Sequence, residues 1–360
     1  MFSVAIYNKT FNVLTKIFQP NVFNIKYSNE INKAGSASFK IKVNDPQATL
    51  ANLRPFNRIK IYKGLQGEFI GFIESLQVSL NIIEVRCIGI LGLFEKRLYS
   101  TQVLNTLAKT AFFNILSNVN AGDNTGITAG LGTVPNNILK IDFSRSTVLA
   151  AWQKIATMSN NAEFKVNVDA ATLDFVPKLG SDKSLFLRFE YLSNQINTST
   201  LLDFDVEVSG KDTANKITGI GSSGLLSTKQ DNPSIALIGL LEHPENFSQT
   251  GNATDPGNET QGYLDSHKVE FYIPKVKLNI DRINPDSFEI GDIGKVVLNN
   301  GFILVSQNYR IIKKDITVSE NERVECSVNL IPDGVNLLPS NFFDVINKQD
   351  RRIGLLEGNI

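Results

Sequence analysis

Histidine and cysteine each occur only twice in this 360-residue sequence, and tryptophan once. Two cysteines cannot close a zinc site by themselves. Cys87 and Cys326 both fall inside alternating apolar and polar runs, where small buried side chains are expected in preference to a disulfide. No apolar run approaches the about 18 residues of a membrane span, and Lys9 and Lys16 interrupt the amino terminus before it reads as a secretory signal. An excess of one charge is missing as well. Lys plus Arg and Asp plus Glu number 36 each, so the overall balance gives no ground for wrapping nucleic acid or lying on an anionic membrane. What remains is the composition of a folded chain, 42% hydrophobic and 20% charged, long enough for two or three cores.

The stretch YSNEINKAGSASFKIKVND, residues 27 to 45, shows the dominant pattern. Phe39, Ile41 and Val43 alternate with Lys40, Lys42 and Asn44, and a period of two places each set on its own face of a strand. FSVAIYN, VLTKIF, NRIKIYKG, GEFIGFIESLQVSL and NIIEVRCIGI repeat it, so residues 2 to 90 predict an antiparallel meander. DPQATLANLRP is a brief irregular or helical link opened by Asp45 and Pro46.

After residue 98 the period changes. Leu104, Leu107, Ala108, Ala111, Ile115 and Val119 recur at spacings of three and four and predict a helix ending near Asn120 to Gly122. Val148, Trp152 and Ile155 line a second helix, with Ser144 or Ser146 as its N-cap. EFKVNVDAATLDFVPK reads as a hairpin packed on both. From Leu201 strands return, and Asn299-Asn300-Gly301 between apolar runs marks a hairpin, because such turns need positive φ. Residues 228 to 262, rich in Asn, Gly, Thr and Pro, read as a long exposed loop.

Candidate chemistry is sparse. GIGSSG, Gly219 to Gly224, matches a dinucleotide fingerprint, but the helix whose N-terminus would hold a pyrophosphate does not follow, so a glycine turn is expected. His243 and His267 sit in or beside the polar loop and read as solvated. Asp203, Asp205 and Glu207 share one face of a strand. Such carboxylates suit acid/base work or calcium, but with Phe204, Val206 and Val208 opposite they read most simply as its wet side. No constellation carries a reaction, and neither cofactor nor metal is implied.

The succession nevertheless resembles a known family. A polar segment ending in Gly-Ser-Ala-Ser before an alternating strand, then Asp-Pro, RPFNRIKIYKG, GEFIGFIESLQ and GLFEKRL, is similar to the amino-terminal domain of phage tail hub or tail-tip (baseplate hub) proteins. TVLAAWQKIATMSNNAEFKVNVDAATLDF looks like the family's inserted domain, and TANKITGIG and FEIGDIGKVV like its second barrel. The resemblance implies a mainly β fold with an α/β insertion: two tail-tube-like β-barrel domains, residues 1–98 and 201–335, flank a mixed domain, 99–200, ahead of a carboxy-terminal helical tail, 336–360. It implies a non-enzymatic virion protein, a homotrimer at the distal end of the tail that is assembled in the host cytoplasm. That trimer would adapt a sixfold tube to a threefold tip, below a tube or distal tail protein and above a tip, spike or fibre protein. DNA would pass through without specific binding, with Asp203, Asp205 and Glu207 as channel-lining candidates, and no part of the chain would enter a membrane. Phe342, Phe343, Ile346, Ile353 and Leu356 are the candidates for docking a partner. Type VI secretion spike bases share the resemblance. A glycan-binding or glycan-degrading β-rich protein is the alternative from another class, although the one tryptophan, Trp152, sits on a helix stripe as core.

Overall fold

The computed structural model describes residues 1–333, apart from 135–137, 144–145, 160, 194–197, 211–212, 222–223, 247–255 and 269–270. The docking candidates Phe342, Phe343, Ile346, Ile353 and Leu356 lie outside the described residues. The first third supplies β1 (Phe2–Tyr7), β2 (Val13–Phe18), β3 (Val22–Glu30), β4 (Ser36–Lys42), β5 (Arg58–Lys63), β6 (Gln66–Val78) and β7 (Ile82–Gly89). The middle supplies α1 (Gly92–Glu95), β8 (Leu98–Tyr99), β9 (Gln102–Leu107), α2 (Ala108–Gly122), β10 (Thr128–Gly132), β11 (Ile138–Asp142), β12 (Ser146–Thr147), α3 (Val148–Met158), β13 (Glu163–Asn167), β14 (Thr172–Val176) and β15 (Arg188–Leu192). The last part supplies β16 (Leu201–Ser209), β17 (Lys216–Ile220), β18 (Leu226–Gln230), α4 (Asn232–Ile238), β19 (Glu242–Asn246), α5 (Gly257–His267), β20 (Phe271–Leu278), β21 (Ile293–Asn299), β22 (Leu304–Val318) and β23 (Val324–Pro332).

Thirteen of these strands form one sheet, in the order β16-β20-β23-β22-β3-β4-β7-β6-β5-β1-β2, with β21 on the free side of β22 and β15 beside β21. The fold is therefore mainly β, and the expected strands of the first third are present. They do not form a plain meander: β4 pairs with β7, and β1 inserts beside β5. Alternation fixes which residues meet within a strand but says nothing about which strand lies next to it. Phe39 and Ile41 are fully buried, whereas Val43, one residue past the end of β4, is exposed.

The two β-rich ends build the same strand order. In the first it runs β1-β5-β6-β7-β4-β3; in the last it runs β15-β21-β22-β23-β20-β16. One difference is that β15 lies parallel to β21 while β1 is antiparallel to β5. The ends are zipped together where β22 pairs with β3, and one apolar core, including Phe39, Ile61 and Val85 with Val276, Val328 and Leu330, runs beneath both.

The middle third has its own core. Phe112 stacks on Phe175 at 4.0 Å and on Trp152 at 5.2 Å, and the Trp152 indole donates to the Phe112 carbonyl at 3.0 Å. Two boundaries differ from the sequence reading. Leu104 and Leu107 belong to β9, paired with β11, so α2 begins only at Ala108. Thr147 caps α3, accepting from the Ala150 amide at 3.2 Å, in place of Ser146; Ser144 lies outside the described residues.

The stretch 228 to 262 is not one long loop. It contains the end of β18, α4, β19 and most of α5, and together with β17 these make a small unit between the paired strands β16 and β20. Asn215, buried beneath it, accepts from the Leu241 amide and donates to the Gly239 carbonyl, both at 2.7 Å. Asp231 caps α4 through the Ser234 amide at 2.9 Å. Side chain to backbone bonds thus order a segment with few apolar anchors.

The units meet at a buried ion pair. Arg310 on β22 holds both carboxylate oxygens of Glu163 on β13, and each side chain is only 4% exposed. The guanidinium also donates to the carbonyls of Leu179 (2.8 Å) and Gly291 (3.0 Å), while Glu163 accepts from the Leu179 amide (2.7 Å). Gly180 and Gly291 cross there: both have positive φ, and a Cβ on Gly291 would lie 2.5 Å from the Leu179 carbonyl oxygen. On the other flank Asn32, in the β3–β4 turn, accepts from the Phe164 amide (2.7 Å) and donates to the Ala162 carbonyl (3.3 Å).

Removing one partner of such a pair strands the other charge in the interior, at a cost of about 3–5 kcal/mol. Glu163→Ala should therefore lower the unfolding free energy by that much, read as a lower denaturant midpoint at unchanged slope. Lys178→Ala, which breaks an exposed pair with Asp333, should change stability by less than about 1 kcal/mol; equal effects in urea melts would refute the difference. Burial pushes the Cys326 thiol up to about 12 and raises that of Cys87 as well, and both are free and buried. Neither should react with a thiol reagent at pH 8 in the native protein, and both should do so in denaturant.

Candidate functional site

One face of the main sheet carries polar residues across many strands. Alternation puts the core on one side of each strand, and the registers carry the opposite side across eight strands, from β16 to β6. Along one row Asp203 on β16 lies opposite Lys277 on β20, Lys277 opposite Ser327 on β23, Ser327 opposite Asp315 on β22, and Asp315 opposite Ser28 on β3. A parallel row runs Glu325, Thr317, Lys26, Ser38, Arg86 and Ser75, from β23 to β6. A third starts on that surface at Asp205 and Lys275 and turns inward through Asn329, Lys313 and Glu30, of which Asn329 is buried.

The three sequence candidates all lie on this surface. Asp203 and Asp205 are exposed and Glu207 is half-buried, on the wet side of β16, while Phe204 and Val206 pack against the core. Their surroundings are not purely acidic. Lys275 and Lys277 stand directly opposite Asp205 and Asp203, Lys277 also pairs with Glu325 at 3.0 Å, and Lys40 faces Glu84 across β4 and β7. Opposite charges on neighbouring strands attract, so the face is polar and nearly self-neutralising. Each strand's wet residues were legible from alternation. Their union was not, because register between distant strands leaves no mark in a single sequence.

The other candidates resolve differently. Gly219 belongs to β17, and Gly221 and Gly224 make the turn into β18, with no helix following the glycines. His243 is half-buried on β19, 3.1 Å from Glu245 and stacked on Tyr263. His267 corrects the expectation of a solvated residue: it is 3% exposed at the end of α5, stacked 3.9 Å from Tyr263, with Nδ1 2.8 Å from the Tyr263 carbonyl. Among the described residues no cluster of three or more His, Cys, Asp or Glu is placed to hold a metal.

A polar cleft of about 240 Å³ lies where the three parts of the chain meet, lined by residues that include Glu30, Lys33, Glu68, Lys165, Asp169 and Glu289. Tyr27 donates to Glu68 at 2.8 Å, and burial followed by the Glu68 charge raises its hydroxyl pKa. Lys165 pairs with Glu289 at 3.2 Å, and Lys314 donates to the carbonyls of Pro285 and Phe288. Of these bonds the Lys165 to Glu289 pair joins the middle unit to the last part, while the others brace the cleft's walls within the first and last parts.

No protein-family model matches the sequence, and no curated protein matches it. Solved structures do match the fold. The tail protein from Neisseria meningitidis MC58 aligns at TM-score 0.64 and 12% identity, over 93% of this chain and 97% of that one. The 43 kDa tail protein of prophage MuSo2 from Shewanella oneidensis aligns at TM-score 0.65 and 10% identity, over 94% and 100%. A component of the type VI secretion system of E. coli, itself structurally similar to the T4 bacteriophage tail proteins gp27 and gp5, aligns at TM-score 0.55 and 11% identity, over 89% and 76%. At such identities the likeness is one of architecture: from nearly end to end, this chain has the mainly β fold of these phage tail proteins.

Proposed function

We propose that this chain is a structural, non-enzymatic component of a phage-type tail: a homotrimeric hub at the distal end of the tail tube that adapts a sixfold tube to a threefold tip and lines the passage for DNA. The observation that carries this reading is the length of the structural match, which leaves almost nothing of the chain or of the two tail proteins unaccounted for. Two halves of one sheet with the same strand order suit it, since three chains then offer six similar units to a sixfold tube. The self-neutralising sheet face suits a DNA passage. A wall of unpaired Lys and Arg would bind phosphates and release counterions, holding DNA in place; paired charges give it little to hold.

In this reading a tube or distal tail protein lies above the hub and a tip, spike or fibre protein below it, within the virion tail. The second reading, the base of a type VI secretion spike, is favoured by the E. coli match, although that one covers less of its partner and at a lower TM-score.

Light scattering and electron micrographs of the purified protein test the hub. Particles of three times the chain mass, threefold in projection with a central opening, are expected. A monomer that persists at high micromolar concentration, or that hydrolyses a polysaccharide, would remove the reading.

A further inference from the structure

The repeated strand order has a counterpart at the sheet's open edges. Inside the chain the two ends are joined by β3 pairing with the second half of β22, in the register Ser28 to Asp315 and Lys26 to Thr317. In the repeat β16 corresponds to β3, and β6 to β22. Among the described residues no strand pairs with the outer edge of β16 from Asp203 onward, nor with the edge of β6 from Glu74 to Val78 that faces away from β7.

The correspondence can be carried to single residues. The hairpins β6–β7 and β22–β23 close with the pairs Val78 to Ile83 and Val318 to Val324. Superposing these ends places Ser75 where Asp315 is, and Arg86 where Ser327 is. Arg86 pairs with Ser38 and Ser38 with Lys26, just as Ser327 pairs with Lys277 and Lys277 with Asp203. Asp203 therefore takes the place of Lys26, and Asp205 the place of Ser28.

We infer that the edge of β16 pairs antiparallel with the β6 edge of a second copy of this chain, with Asp205 opposite Ser75 and Asp203 opposite Gln77. The inference rests on the hub reading and names its subunit contact. Both faces of the joined sheet agree with it. On the wet side Asp205 comes next to Ser75, itself beside Arg86, so the alternation of charges continues across the joint. On the core side Phe204 falls opposite Leu76, both packed against the main core, and beyond them, where β16 shifts register, Leu202 comes opposite Val78. Leu202 is 52% exposed and Val78 67%, an apolar pair at two otherwise open edges. Exposed edges with apolar side chains invite a further strand. Because the two edges differ, each copy offers one and receives the other, a head-to-tail contact of the kind that makes a ring when the rotation between copies closes.

Paired cysteines test the register, since directly opposite residues come within disulfide reach and residues displaced by two do not. The native Cys87 and Cys326 are buried and free, so they leave the readout clear. Oxidation of the double variant Ser75→Cys with Asp205→Cys should convert most of the chain into covalent trimer on a non-reducing gel. Either single variant, and the displaced pair Ser75→Cys with Glu207→Cys, should give at least tenfold less. Circular dichroism of the reduced variants establishes that each is folded. A folded double variant that is trimeric by light scattering yet stays unlinked overturns the edge pairing and leaves the hub reading standing. Equal linking by the displaced pair overturns the register, and a folded monomer that does not link overturns contact and hub together.

Discussion

The arrangement depends on one desolvated contact, the guanidinium of Arg310 against the carboxylate of Glu163. Taking two charges out of water costs several kcal/mol per ion, which their attraction offsets only when the remaining donors and acceptors are also satisfied. Here the Leu179 and Gly291 carbonyls take two further guanidinium N–H groups, and the Leu179 amide donates to the carboxylate. The consequence is geometric more than energetic. A planar fork that must meet a carboxylate and two carbonyls accepts one docking angle, so β13 is fixed against β22 close to where β22 joins β3. With Asn32 holding residues 162 and 164 from the other side, the middle unit bridges the seam and sets how the two halves of the sheet meet.

That seam lets one chain act as two units. Each half has the same strand order, and β22 is long enough to pair with β21 along its first part and with β3 along its last. The halves differ in what fills the equivalent connection. Between β3 and β4 lies a short turn held by the middle unit, while between β16 and β20 lies the unit built from β17, β18, α4, β19 and α5. An insertion is tolerated at such a place because the flanking strands still pair with each other: β16 and β20 stay in register from Asp203 to Ser209.

Much of the fold was legible because strands with one wet face must alternate. Spacing alone puts Phe39, Ile41, Val85 and Cys87 on core faces, and all are buried. Trp152 and Ile155 were placed on a helix stripe for the analogous reason. Spacing misled at Leu104 and Leu107, which continue the helical period of α2 while belonging to β9. The pairing with β11, which lies beyond α2 and β10 in the chain, overrides that local period. The site was legible only in part. Asp203, Asp205 and Glu207 announced a wet strand, but its neighbours Lys275 and Lys277 come from a strand reached only after the small inserted unit. Glu163 and Arg310 could not be picked out either, since each reads as one more charge in an alternating strand, and only the packing of β13 on β22 buries them.

The same physics explains how a fold can match solved tail proteins over nearly its whole length at 10 to 12% identity. An apolar face asks only for side chains of suitable volume, and volume-conserving exchanges cost little. A wet face asks only that charges be solvated or paired. Strand order therefore needs the alternation and a few fixed points where atoms must meet one partner in one geometry, such as Arg310 with Glu163 or the crossing of Gly180 with Gly291. Between those points the residues are free to vary, so the two halves of this chain can share a strand order without sharing residues.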